Sequence, residues 1–239
     1  MTTQAAHTYA LAGPARIEIN EVAPRDGLQI EPFVVPTDGK VAFVDALAHC
    51  GFARIEATSF TSARAIPALA DAEAVMHRIE RVPGVRYTVL VPNLRGLERA
   101  LSCHPDEVNL VMSSSETHNR ANLRMTREQS KAQLLAMIAE AGQAGVPVNI
   151  SLSTVFGCPF EGDVSEADVM ALAQAFAQAG AAGITLCDTT GMAYPSQVAA
   201  LCRTFQQALP DTGLTIHLHN TRGMGLARSE EHTSELQSH

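Results

Sequence analysis

Seven short apolar runs rich in β-branched residues, at residues 17–22, 54–59, 87–91, 108–112, 148–152, 184–187 and 214–218, alternate with stretches of helical periodicity, and nothing else in the sequence restricts the fold so tightly. A short apolar run bounded by turn signals reads as a strand covered on both faces, the habit of parallel sheets. Segment 40–50 shows the intervening pattern. Val41, Val44 and Ala48, with Phe43 and Leu47 beside them, recur at helical steps and make one apolar face. Thr126-x-x-Gln129 and Ser165-x-x-Asp168 are helix-start signals, and Gly51, Gly145 and Gly180 stand where helices should stop. The phrases "AHCGFARIE", "AGQAGVPVN" and "AQAGAAGIT" repeat one helix-to-strand joint. Strand starts fall roughly 20–40 residues apart, the length of a βα unit.

Strict βα alternation leaves a doubly wound open sheet or a (β/α)8 barrel. No GxGxxG follows the first strand. Polar residues close nearly every strand: Arg25 and Asp26, Glu56 and Ser59, Asn93, Ser113, Ser153, Asp188, His217 and His219. A barrel gathers all those ends on one face, so the expectation is an α/β TIM (β/α)8 barrel. About seven βα units are present, and the missing eighth strand is expected beyond residue 228. A single domain is expected, since no low-complexity linker divides the chain.

The chain has 239 residues and is 46% hydrophobic, ample for one large core. A formal net charge of −8 and the lack of any basic stripe argue against nucleic acid as a partner. The five cysteines, Cys50, Cys103, Cys158, Cys187 and Cys202, are scattered and lack CxxC spacing, which fits a reducing compartment. No signal peptide is evident, and no run approaches the ~18 apolar residues of a membrane span. A cytoplasmic protein with no membrane partner is expected.

Residues i and i+2 of a strand face the same way, so His217 and His219 can reach one ion. The plain alternative is a pair of packed histidines. Asp26 can add a hard oxygen ligand and Arg25 a fixed cation beside it, unless "RDG" is an ordinary surface turn. Glu56 and Asp188, at the ends of apolar strands, are candidates to orient Arg25 or a ligand histidine; structural salt bridging serves equally well. Cys158 in "FGCPFEG" has no basic neighbour to lower its pKa and reads as structural. Asn119, Arg120 and Arg124, in the loop expected after the fourth strand, can hold an acidic or phosphorylated part of a ligand or be solvated charge. "NTRGMG" reads as a tight turn.

In order and spacing, "EVAPRDGLQ", "IEATSF", "VPNLRGLERA", "FGCPFEG", "CDTTG" and "HLHNTRG" resemble the 3-hydroxy-3-methylglutaryl-coenzyme A lyase family. This is a group of barrel metallolyases related to the isopropylmalate and citramalate synthases. The resemblance covers roughly residues 15 to 227. It implies retro-Claisen cleavage of an acyl-CoA substrate, hydroxymethylglutaryl-CoA, to acetyl-CoA and acetoacetate. It also implies Mg²⁺ or Mn²⁺ on Asp26, His217 and His219, with Arg25 stabilising the enolate. Glu56 and Asp188 would line the site, and Asp188 or His217 would move the hydroxyl proton. A homodimer of the full-length protein is implied as well.

Ile30 replaces a polar residue of the family's "GLQNE" stretch, and Asn220 stands where many members have Asp. Both leave the metal ligands intact and bear on the substrate. The family's catalytic cysteine and an asparagine ligand belong downstream of "GMGLA", so this 239-residue chain is expected to be inactive by itself. From Arg228 the letters "RSEEHTSELQSH" look like a translated sequencing-library adapter, the alternative being a genuine disordered tail. The rivals are a citramalyl-CoA lyase, an acetyl-CoA-condensing synthase, and a non-catalytic metal-binding fragment.

Overall fold

The computed structural model describes residues 17–223 together with Gly225, Leu226 and Ser229. Seven strands, β1 (Asn20–Glu21), β2 (Arg54–Ser59), β3 (Arg86–Val91), β4 (Glu107–Ser113), β5 (Val148–Ser153), β6 (Gly183–Asp188) and β7 (Gly213–Leu218), form one sheet in sequence order. Every neighbouring pair is parallel. Parallel neighbours need crossovers, which here are α1 (Thr37–Ala48), α2 (Ala72–Arg78), α3 (Leu94–Leu101), α4 (Glu116–Leu123), α5 (Arg127–Gln143), α6 (Glu166–Gln178) and α7 (Pro195–Ala208).

The sheet curls until its two ends approach each other. Six lateral steps of ~4.8 Å would hold the outer strands of a flat sheet roughly 29 Å apart. Yet His217 Nε2 on β7 lies 3.8 Å from Asp26 Oδ2, just past β1. The expected barrel architecture is therefore present, with seven strands among the described residues. The expected eighth strand, Arg228 and the tail beyond it, Ser229 apart, lie outside the described residues.

Local chemistry explains the elements. Thr126 and Gln129 form a reciprocal capping box on α5, and Ser165 Oγ accepts from Asp168 N at 3.4 Å to start α6. Gly51 and Gly180 take φ of +87° and +100° just past α1 and α6, where a side chain would be strained. One core fills the space between sheet and helices. Ile55, Val89, Leu110, Ile150 and Leu186 meet Val44, Val75, Leu97, Phe176 and Phe205 there, all fully or almost fully buried.

Two expectations need correction. The first strand was expected over 17–22, but pairing is confined to Asn20 and Glu21, and Ile17 and Ile19 are 54% and 65% exposed. Among the described residues β1 has β2 alone as a neighbour, so its start has nothing to pack against. Second, the region after β4 was read as a loop, whereas residues 116–123 are helix α4. Ser115 Oγ caps it through His118 N at 3.2 Å, and Glu116 pairs with Arg120 at 2.7 Å one turn on.

The middle strands are buried on both faces as expected, yet one of those faces is polar. In "VNISLS" of β5, Val148, Ile150 and Leu152 alternate with Asn149, Ser151 and Ser153, and the polar set lines the barrel interior. On β4, Glu107 and Asn109 face the same way.

Candidate metal centre

β1 ends after two residues because "APRDG" leaves the sheet in a π-helical turn, Ala23–Gly27. Pro24, its second residue, suits the first turn, where no amide donor is needed. The amides of Arg25 and Asp26 both donate to Val22 O, at 3.0 and 2.7 Å, which sets the two side chains at the barrel mouth.

Arg25 enters a carboxylate clamp. Its Nε donates to Glu56 Oε2 at 2.6 Å and its Nη1 to Asp26 Oδ1 at 2.5 Å. Burial pulls the Arg25 pKa down, but Glu56 and Asp26 outweigh it and hold the guanidinium charged. Glu56, itself 4% exposed, is fixed on its other oxygen by Asn109 Nδ2 at 2.8 Å. Asn109 Oδ1 in turn accepts from Asn149 Nδ2 at 3.0 Å and Ser151 Oγ at 2.9 Å, and Asn149 Nδ2 also reaches Thr185 Oγ1 at 2.8 Å. A chain of side-chain hydrogen bonds thus runs from Arg25 across β2, β4, β5 and β6. Such a network is satisfied link by link, which fixes the arginine's plane.

With one Asp26 oxygen on Arg25, the other turns to the histidines. The His217 and His219 rings stack with centroids 4.9 Å apart, and one ligand atom from each of Asp26, His217 and His219 lies within 4.8 Å of the others. Burial lowers the His217 pKa; Asp26 opposes this, and His219 and Arg25 add to it. His217 is therefore unprotonated near neutral pH, as a ligand must be. Two imidazoles and a carboxylate fit a divalent cation, and no other such group of three occurs among the described residues.

The structure brings Arg25, Asp26, Glu56, His217 and His219 together around one cavity of about 1180 Å³. Asp188 goes elsewhere. It is 1% exposed, does not line that cavity, and its Oδ1 accepts the amides of Met192 and Ala193 at 2.8 and 3.2 Å, bracing the β6–α7 loop. Cys158 is buried as expected of a structural thiol, on Ser115 Oγ at 3.0 Å. In "NTRGMG" the amides of Gly223 and Gly225 close onto Asn220, a tight turn as read.

Asn109 and His118 are among the lining residues that escaped the reading from sequence. Asn109 was signalled only by the polar alternation in "EVNLVMS". His118, whose Nδ1 lies 2.5 Å from Ser113 Oγ, sits in a polar stretch with no local mark of a site.

Fold and site together define a parallel barrel with a divalent-cation set and a clamped arginine at its mouth. The family model described as HMGL-like matches residues 16–234. The hydroxymethylglutaryl-CoA lyase YngG of Bacillus subtilis is 41% identical over 214 residues, which is 90% of this chain and 72% of that protein. The (R)-citramalyl-CoA lyase of Chloroflexus aurantiacus is 40% identical over 223 residues, 89% of this chain and 70% of its own length. A solved HMG-CoA lyase from Acinetobacter baumannii, in complex with coenzyme A and 3-methylmalate, superposes with a TM-score of 0.87 at 44% identity, covering 92% of this chain and 72% of that one. The chain belongs to the HMGL-like family.

Proposed function

We propose that this site serves the retro-Claisen cleavage of 3-hydroxy-3-methylglutaryl-CoA to acetyl-CoA and acetoacetate. The observation that carries this reading is the shared Asp26 carboxylate, which puts a charged guanidinium and a cation-binding set side by side. The reaction needs both. Negative charge forms first on the tertiary hydroxyl oxygen as its proton leaves. When the carbon–carbon bond breaks, its electron pair passes into the thioester enolate, and protonation of that carbon gives acetyl-CoA.

Asp26, His217 and His219 would hold Mg²⁺ or Mn²⁺, which when bound supplies Lewis acidity toward the hydroxyl and carboxylate of the substrate. Arg25 is the preorganised cation for the enolate oxygen. Glu56 has both oxygens engaged, by Arg25 and Asn109, and serves to position Arg25. His217, unprotonated near neutral pH, would commit its one basic ring nitrogen to the cation, and the hydroxyl proton would leave to solvent in the cavity. Asp188 supports the neighbouring loop.

A cytoplasmic location is part of this reading; no described helix is long and apolar enough to cross a membrane. The homodimer rests on family resemblance alone, as does reading residues 1–227 as the catalytic domain.

The 40% identical citramalyl-CoA lyase supports a second reading. Its substrate carries one methylene fewer between tertiary carbon and carboxylate, a difference worth roughly 10–200-fold in a fitted pocket. Titrating the Mn²⁺-loaded protein with each thioester separates the two. Hydroxymethylglutaryl-CoA is expected to bind at least about tenfold more tightly, and any turnover to yield acetoacetate. The opposite preference, with pyruvate as product, would favour the second reading. Binding of neither would sink both.

A further inference from the structure

We infer that Arg124 is a specificity-determining residue that takes a phosphate of the substrate's nucleotide carrier; this rests on the acyl-CoA reading above. Three arginines line the cavity. Arg25 is held by Glu56 and Asp26, and Arg54 by Glu107 at 3.3 Å. Arg124 has no hydrogen-bond or ion-pair partner among the described residues, although the chain has a net charge of −8 and carboxylates to spare.

Its setting favours an anion. Arg124 stands just past α4, which follows β4, and β4 is the middle strand of the seven, three places from both β1 and β7. The wall it belongs to is therefore across the mouth from Asp26 and His217. The chain beyond the C-terminal end of β4 contributes His118, Asn122, Arg124 and Gln133 to the cavity and no carboxylate; Glu56 stands on β2, Asp26 just past β1, and Glu107 at the opposite, N-terminal end of β4. A ligand with its reacting end at the metal set and a tail crossing the cavity reaches the wall that carries Arg124.

The backbone presenting Arg124 is fixed. Arg124 takes φ of +59° and donates its amide to Arg120 O at 2.9 Å. Fully buried Asn119 ties the next residue down, donating to Met125 O at 2.9 Å and Ser130 Oγ at 2.8 Å while accepting from Ser113 N. Arg120 is spent on Glu116. Of the three polar residues that marked this stretch in the sequence, one is a brace, one is paired, and Arg124 alone is free to bind. A guanidinium donates a fork of hydrogen bonds that matches phosphate oxygens.

The test is calorimetric titration of the Mn²⁺-loaded full chain with acetyl-CoA and with S-acetylpantetheine, which keeps the thioester and pantetheine arm but has no phosphate. Arg124→Asn tolerates the left-handed backbone and so guards against a folding defect. It is expected to weaken acetyl-CoA about tenfold and leave S-acetylpantetheine unchanged, while Arg124→Lys recovers part of the loss. Added salt should weaken acetyl-CoA binding to the parent more steeply than to Arg124→Asn. If the parent binds acetyl-CoA and Arg124→Asn binds it equally well, or loses both ligands alike, the inference fails and the lyase reading stands. If the parent binds no acetyl-CoA, the lyase reading fails and takes the inference with it.

Discussion

Replacing His217 and His219 together by alanine is expected to weaken Mn²⁺ binding by at least about a hundredfold while leaving the fold intact. The substitution removes two of the three ligating groups and leaves Asp26 with its Arg25 partner. Stability should change little, because β7 is half-buried along most of its length and the His217 side chain keeps 24% of its exposure. Calorimetry with Mn²⁺ reads the affinity, and circular dichroism reads the fold. Unchanged affinity in a folded double variant would refute the site.

Arg25→Met should destabilise the protein by about 3 kcal/mol or more, because it strands the Glu56 carboxylate, whose side chain is only 5% exposed. Asn109 would remain as a single donor to a buried anion. Adding Glu56→Gln to Arg25→Met should restore much of the loss, since the neutral amide needs no counter-charge. Urea unfolding of the two single variants and the double variant measures the coupling. Equal stability of Arg25→Met and the parent would show that the clamp is solvated rather than buried. In all three variants Asp26 and the histidine pair remain, so Mn²⁺ binding persists and separates the clamp's role from the cation's.

Much of this was legible in the letters. Strands β2 to β7 fall where apolar β-branched runs predicted them, because a buried strand must be apolar on at least one face. The helix ends follow Thr126, Ser165 and the glycines, whose effects act within a few residues. Arg25, Asp26, His217 and His219 could be brought together before any coordinates, because a barrel sends all strand C-termini to one mouth.

What stayed hidden depends on distance and direction. The clamp joins Arg25 to Glu56 across 31 residues and Glu56 to Asn109 across 53, and nothing local encodes such pairings. The polar interior was masked because Val148, Ile150 and Leu152 dominate a run whose alternate residues carry the opposite message. Asp188 has the right position for a site residue, but a short acidic side chain at a strand end can turn onto the amides of its own loop, as it does here.

The most direct test of the account is titration of the protein with 3-hydroxy-3-methylglutaryl-CoA in the presence of Mn²⁺ and again with the metal chelated. Binding that requires Mn²⁺, and that is lost in Asp26→Ala, is the predicted result. Equal binding with and without the metal would contradict it.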